Sequence, residues 1–294
     1  MPIIGFATSK VHSYLTDDDR LAQSELRKLG YQCEPVVWDA QIDWTRFDCI
    51  IIRSCWDYHK RLGEFLSWID RLQTLRVPLL NSQMTVYWNS NKKYLRELEI
   101  KGQKIAPTLW SSPQRLAHDL VVARQEGWND VIIKPVVSAS AYFTRRITFN
   151  ENDDWDAVVA DMQNLNCEIM VQAYQHRIET LGEWSLMFFQ NRFSHAVLKK
   201  PRQGDFRVQE EHGGKTVGLE APPKLVLQAT RVLETVEQPC LYARVDGIFE
   251  NNQFVLMELE LIEPFLFLGS HPDAPRRFAR AIVDWVSKHE NQFT

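Results

Sequence analysis

Five cysteines among 294 residues are too few and too scattered to staple a fold. Cys33, Cys49, Cys55, Cys167 and Cys240 include no CxxC pair, and their number is odd. Reduced thiols in a cytoplasmic protein are expected. Cys55, which follows a strand end, is the one thiol to test for reactivity. No apolar run reaches membrane-spanning length, and MPIIGFATS opens directly on a strand-like run without a basic leader. Neither a spanning helix nor a signal peptide is expected. Basic runs are missing too, and the net charge of -4 argues against nucleic-acid or membrane partners. The eight histidines are dispersed without zinc-ligand spacing. Among them, His195 sits between strand residues and reads as a structural hydrogen-bonding group rather than a base. There is no internal repeat, no low-complexity segment and no Ser–His or Cys–His constellation.

What is present is a chain 45% hydrophobic and 24% charged, enough for two or three domains with substantial cores. Its organising stretch is the hairpin Leu241 to Pro264, LYARVDGIFENNQFVLMELELIEP. The second arm alternates with a period of two, placing Glu258 and Glu260 on one face about 6.6–6.8 Å apart at Cα. Two carboxylates in an apolar strand repel each other and are costly to desolvate. A divalent cation relieves both costs, and Mg²⁺ takes one or two carboxylates plus substrate phosphates. Arg244 and Asp246 in the first arm also share a face. A two-residue Asn251-Asn252 loop would pair Asp246 with Met257, away from the glutamates. A three-residue loop would pair Asp246 with Glu258 or with Leu256 beside it, and this odd-length loop is expected. The alternative is an edge hairpin whose acids face water.

Residues 1–88 alternate strands and helices: strand Ile3 to Ala7, a helix capped by Thr16 and stopped by Gly30, strands Cys33 to Trp38 and Asp48 to Arg53, a helix striped by Leu62, Phe65, Leu66, Ile69 and Leu72, and strand Val77 to Asn81. This βαβ order implies an open parallel sheet, with ligands beyond the C-terminal strand ends. RSCWDY lies at such an end, so Arg53, Ser54, Trp56 and Asp57 are substrate-site candidates. The other reading is a capping loop in which Trp56 covers the core. A helix over 89–101 carries Lys92 and Lys93 near its start. Residues 104–172 read as a smaller α+β unit. There, strand Val131 to Val137 holds Lys134, and the small-residue turn Ser138 to Ala141 precedes strand Tyr142 to Phe149. A lysine followed by such a turn suits phosphate binding. Beyond it come a helix from Trp155 and a strand Glu168 to Gln172. Long strands Trp184 to Gln190 and Phe193 to Lys200 follow, then a polar, mobile-looking segment Arg202 to Gly214 ending in Gly213-Gly214. Helices Lys224 to Thr235 and Pro275 to His289 bracket the hairpin.

Taken in order, these pieces resemble the ATP-grasp superfamily over most of residues 85–265. The series is Lys92, Lys134 with Ser138 to Ala141, Gln172-Ala173-Tyr174, Gly182-Glu183, and Arg244-Val245-Asp246 with Glu258-Leu259-Glu260. RSCWDY, WNSNKKYL, KPVVSASA, GEWSLMFF, FSHAVLKKP and ELIEPFLFL are similar to the cycloserine-synthetase-like branch, with glutathione synthetase and D-alanine–D-alanine ligase as more distant likenesses. The resemblance implies an α/β protein of α+β lobes, with an N-terminal open parallel βαβ domain (1–88), a central lid (89–175) and a C-terminal metal-bearing part (176–294) sandwiching ATP. It implies that Lys92, Lys134, Ser138 and Ser140 meet the ATP phosphates. Gln172, Ala173 and Tyr174 would read adenine, and Glu183 would bind ribose. Asp246, Glu258 and Glu260 would hold Mg²⁺. Arg244 would meet the transferred phosphoryl group, with Lys199 and Arg207 at the nucleotide–substrate junction. Residues 53–58 and 202–214, Gly213 and Gly214 included, would choose the substrate. The chain departs from the family pattern in its Ser/Ala-rich phosphate turn and in Glu260, where asparagine is commoner.

The expected activity is ATP-dependent ligation of a carboxylate and an amine on a small amino-acid-like substrate, between two molecules or within one. A small-molecule kinase on the same fold and a non-catalytic nucleotide-binding protein are the rivals. A homodimer is left open.

Overall fold

The computed structural model describes residues 2–139, 141–149, 155–165, 167–202, 207–208 and 213–289. Ile3–Thr8 (β1), Gln32–Val37 (β2), Cys49–Ser54 (β3) and Leu79–Leu80 (β4) form a sheet ordered β2-β1-β3-β4, parallel throughout. The crossovers are Asp17–Lys28 (α1) and Leu62–Thr74 (α2). The Thr16 hydroxyl accepts from Asp19 N, and Asp17 to Asp19 sit at the positive end of the α1 dipole. The Ile50 to Ile52 run buries β3 on both faces. One face packs Phe65, Trp68, Ile69 and Leu72 of α2 beneath Trp38, Trp44 and Phe47. On the other, Ile4, Phe6, Leu26 and Ile51 share a core with Phe189, Tyr242, Phe278 and Ile282. The first sheet is thereby joined to the end of the chain, through the helix Ala274–His289 (α9).

Two short helices follow, Gln83–Asn89 (α3) and Tyr94–Ile100 (α4). A second, antiparallel sheet is ordered β5-β8-β6-β7 from Thr108–Ser111 (β5), Asp130–Pro135 (β6), Arg145–Thr148 (β7) and Ile169–Ala173 (β8). Leu116–Gln125 (α5) and Asp156–Gln163 (α6) cover it around Leu120, Val131, Ile133, Met162 and Val171. After Arg177–Leu181 (α7) comes the third sheet. It comprises Glu183–Phe189 (β9), Arg192–Lys200 (β10), Lys215–Gly218 (β11), Tyr242–Glu250 (β12) and Gln253–Glu260 (β13), ordered β11-β10-β9-β12-β13. Pro223–Glu234 (α8) and α4 pack on it through Leu225, Tyr94, Leu95 and Leu98 against Leu186, Phe188, Val245 and Leu259. Among the described residues no helix is long and apolar enough to cross a membrane.

The hairpin differs from expectation in how it reaches its register. Its loop is two residues, not three: Asn251 and Asn252 both have positive φ, and Glu250 pairs with Gln253. That turn matches the right-handed twist of the flanking strands. The odd residue lies inside the ladder instead, where a bulge passes from Gly247 opposite Leu256 to Asp246 opposite Glu258. Gly247 is required there, since a Cβ would run into Val255 O and the Phe254 ring. Asp246 therefore meets Glu258, by a bulge rather than by the turn.

Other expectations are also corrected. The helix over 89–101 is broken at Ser90–Lys93. Ser90 Oγ donates to Tyr87 O (2.8 Å) and Asn91 Oδ1 accepts from Lys93 N (3.0 Å), side-chain bonds that compete with helix continuation. Val77 to Asn81 pairs only at Leu79–Leu80, because Asn81 turns to positive φ. The strand over 142–149 begins only at Arg145, after Ala141 and Phe143 take positive φ. Strand β5, helices α5 and α7, and strand β11 were not anticipated. Most of Arg202 to Gly214, expected to be mobile, lies outside the described residues.

Candidate active site

The ends of β6, β8, β9, β12 and β13 and the residues after β3 surround a cavity of about 440 Å³. Lys92, in the break between α3 and α4, enters it and pairs with Glu258. Its backbone N donates to Val136 O (2.8 Å), which ties that break to the second sheet. From β6 comes Lys134, with no hydrogen bond or ion pair among the described residues, and burial lowers its pKa. From β10 comes Lys199, held by Glu183 Oε1 (3.0 Å) and Asp246 Oδ2 (3.3 Å). Arg244 of β12 donates to Asp246 through Nε (3.1 Å) and Nη2 (3.0 Å), and also to Glu260. Gly182 precedes Glu183 at φ 83°, where a Cβ would stand 2.8 Å from Lys199 O, so the strand start needs glycine.

Burial would raise Asp246, but Arg244 and Lys199 hold its carboxyl below the usual range. Burial would also raise Glu258, and Lys92 and Lys134 outweigh it. Glu260 is different: burial, with Asp246 and Glu258 adding to it against Arg244, pushes it to about 7. Glu183 is raised by burial despite Lys199. This crowding is what a divalent cation would relieve, so the donor set fits one. Among the described residues no three His, Cys, Asp or Glu side chains form a ready metal cage. Mg²⁺ does not need one when phosphates supply its other ligands.

Of the residues singled out in the sequence, the cavity brings together Trp56, Lys92, Lys134, Ser138, Gln172, Ala173, Tyr174, Glu183, Lys199, Arg207, Arg244, Asp246, Glu258 and Glu260. Ser140 lies outside the described residues. Arg53, Ser54 and Asp57 are not in its lining, which corrects the reading of RSCWDY. Arg53 is buried in an ion pair with Asp19 (2.8 Å), Ser54 bonds Thr8 Oγ1 (2.7 Å), and Asp57 accepts from Trp38 Nε1 (3.0 Å). Gly213 and Gly214 do not line it either. At the hinge, Ala173 N and Tyr174 N already donate to Pro107 O (2.8 Å) and Asp130 O (2.9 Å), and Gln172 Nε2 donates to Thr108 Oγ1 (3.1 Å). Cys55, the thiol singled out for testing, is fully buried and burial drives its pKa well up, which argues against reactivity. His195 hydrogen-bonds Leu266 O at 2.9 Å, and burial pulls it down to about 4, as a structural histidine should be.

Sequence reasoning gave no role to the segment after β13, which it noted only for its resemblance. Seven successive carbonyls there each accept from a side chain: Leu261 from Asn81, Ile262 from Tyr242, Glu263 from Trp56, Pro264 from Arg53, Phe265 from Arg244, and Leu266 and Phe267 from His195. This irregular backbone is buried without a ladder, so side chains must satisfy it. The segment also brings Glu263, Phe265 and Phe267 into the cavity. Burial and then Glu260 raise Glu263 to about 8. No periodic signal marks a glutamate before a proline, and the donors come from positions far apart in the chain.

A sequence profile of the N-terminal domain of D-cycloserine synthetase DcsG matches residues 4–81. The cycloserine biosynthesis protein DcsG of Streptomyces lavendulae is 25% identical over 297 residues, covering 97% of this chain and 99% of that protein. The crystal structure of D-cycloserine synthetase DcsG superposes with a TM-score of 0.86 at 25% identity, over 97% of this chain and 99% of that one. The chain has the ATP-grasp fold and is similar to cycloserine synthetase over nearly its whole length. The fold is shared more distantly with D-alanine–D-alanine ligase from Bacillus anthracis complexed with ATP (TM-score 0.70, 13% identity, all of both chains). It is shared also with the ATP-grasp ligase PsnB complexed with Mg and ADP (TM-score 0.62, 14% identity, 96% of each chain).

Proposed function

We propose that the cavity binds ATP and Mg²⁺ and joins a carboxylate to an amine on a small amino-acid-like substrate, as the likeness to cycloserine synthetase suggests. The observation that carries this reading is the convergence on one cavity of Lys92, Lys134, Lys199 and Arg244 with Asp246, Glu258 and Glu260. Lys134, without a hydrogen bond or ion pair among the described residues, is a cation available to phosphate. Lys92 and Arg244, paired with Glu258 and Glu260, would exchange those partners for phosphoryl oxygens. Asp246, Glu258 and Glu260 would hold Mg²⁺, whose contribution is to offset phosphate charge. Ser138, in the turn after β6, would meet the phosphates, and Gln172 with the hinge carbonyls would face adenine. Glu183 would bind ribose once released from Lys199.

The substrate carboxylate attacks the γ-phosphorus, giving an acyl phosphate and ADP. The amine then adds to that carbonyl, loses a proton and expels phosphate. The protein's part is alignment and placed positive charge, which needs no covalent nucleophile. An acyl phosphate must be kept from water, and the second sheet with its helices, within the proposed central unit 89–175, is the part that would close over it. The proposed flanking units are 1–88 and 176–294. We place the protein in the cytoplasm, consistent with its five free cysteines.

The test is ADP release from purified protein across amino acids and their ureido and peptide analogues. Release that requires both a carboxylate and an amine supports ligation. A stable phosphorylated product would instead make the protein a kinase.

A further inference from the structure

Five carboxylates line the cavity, and four have a cation. Glu183 is held by Lys199, Asp246 by Arg244 and Lys199, Glu258 by Lys92, and Glu260 by Arg244. Glu263 has no hydrogen bond or ion pair to its carboxylate among the described residues, although it is partly buried in the same wall. Its backbone is pinned on both sides. Trp56 Nε1 donates to Glu263 O (2.9 Å), Arg53 Nη2 to Pro264 O (2.9 Å) and Arg244 Nη1 to Phe265 O (3.0 Å). Three aromatic residues line the same cavity. Trp56 and Phe265 have centroids 6.2 Å apart, and Phe265 and Phe267 4.9 Å apart.

A fixed carboxyl with no protein cation gains one when an ammonium group arrives: the positive charge offsets the burial and the neighbouring Glu260 that raise Glu263, so the ionised carboxylate accepts the ammonium's hydrogen bonds. Phosphate would be repelled there. Lys134, the cavity's unpaired cation among those described above, offers the complementary charge. We infer that Glu263, in the wall it shares with Trp56, Phe265 and Phe267, is the subsite that receives the amine-bearing end of the substrate. This rests on the ligase reading, and it names the group that orients the amine.

The test compares wild type with Glu263→Gln, which keeps the shape and removes the charge. The probes are pairs differing only in the ammonium group: D- and L-alaninamide against propionamide, and D-cycloserine against isoxazolidin-3-one. Binding is measured by calorimetry with a nonhydrolysable ATP analogue and Mg²⁺ present. In wild type at least one amine should bind about tenfold or more tighter than its partner, and Glu263→Gln should erase that preference while melting no lower than wild type. No preference in wild type, or a preference surviving in Glu263→Gln, overturns the assignment. Binding of the ATP analogue is scored separately. If wild type fails to bind it, the ligase reading falls, and the amine preference is still measured on nucleotide-free protein.

Discussion

Arg53 Nη2 lies 2.9 Å from the carbonyl of Pro264, across 211 residues of chain, while Nε of the same side chain lies 2.8 Å from Asp19 Oδ1. One buried guanidinium thus joins the N-terminal sheet to the segment that carries Glu263. Removing it as Arg53→Met would leave Asp19 charged and unpaired in the core. A loss of about 3–5 kcal/mol is expected in urea denaturation. Arg53→Lys should fall between, because an ammonium lacks the fork that reaches both partners.

Gly247→Ala tests the bulge. The added Cβ meets Val255 O and the Phe254 ring. Relief requires the ladder to shift, which would move Asp246 out of register with Glu258. About 3 kcal/mol of destabilisation is expected, with ADP release falling by more than tenfold. Normal stability and activity would show that the register does not depend on this glycine.

Glu258→Gln removes the carboxylate that Lys92 holds and that is assigned here to Mg²⁺. ADP release should drop at least about a hundredfold, while circular dichroism stays that of wild type. Unchanged ADP release would sink the metal assignment.

His195 makes stability depend on pH. The folded group titrates at about 4 and the unfolded one near its ordinary 6.5. Between those values the unfolded chain binds more protons, so acid favours unfolding. The contribution of His195 is complete above about 6.5 and is lost progressively down to about 4, a change of about 3 kcal/mol. Denaturation midpoints of wild type and His195→Gln, measured from pH 7.5 to 4.5, should therefore converge or cross as pH falls. A constant difference would show that His195 does not titrate this way.

The readable part of this protein was local. A run of isoleucines marked a covered parallel strand, Thr16 with three aspartates marked a helix start, and period-two alternation put Glu258 and Glu260 on one face. Each depends on contiguous residues and on backbone geometry that repeats every two or 3.6 positions. The Lys, Arg, Asp and Glu residues singled out through the resemblance likewise included most of the charged groups in the cavity lining.

The rest was decided by packing. The turn chemistry of Asn251-Asn252 favours an even loop, and only contacts at Gly247 absorb the extra residue that brings Asp246 to Glu258. Arg53 stood in the sequence as a substrate candidate, and only the proximity of Asp19 and Pro264 turns it inward. Lys92 stood on an expected helix, and only the bond of its backbone N to Val136 O shows what the break holds in place. Glu263 had no pattern at all. Its place follows from seven carbonyls capped by Asn81, Tyr242, Trp56, Arg53, Arg244 and His195, donors drawn from four distant stretches of chain. Periodicity is encoded along the chain, whereas the partner of a buried polar group is chosen by whatever the folded chain brings within about 3 Å of it.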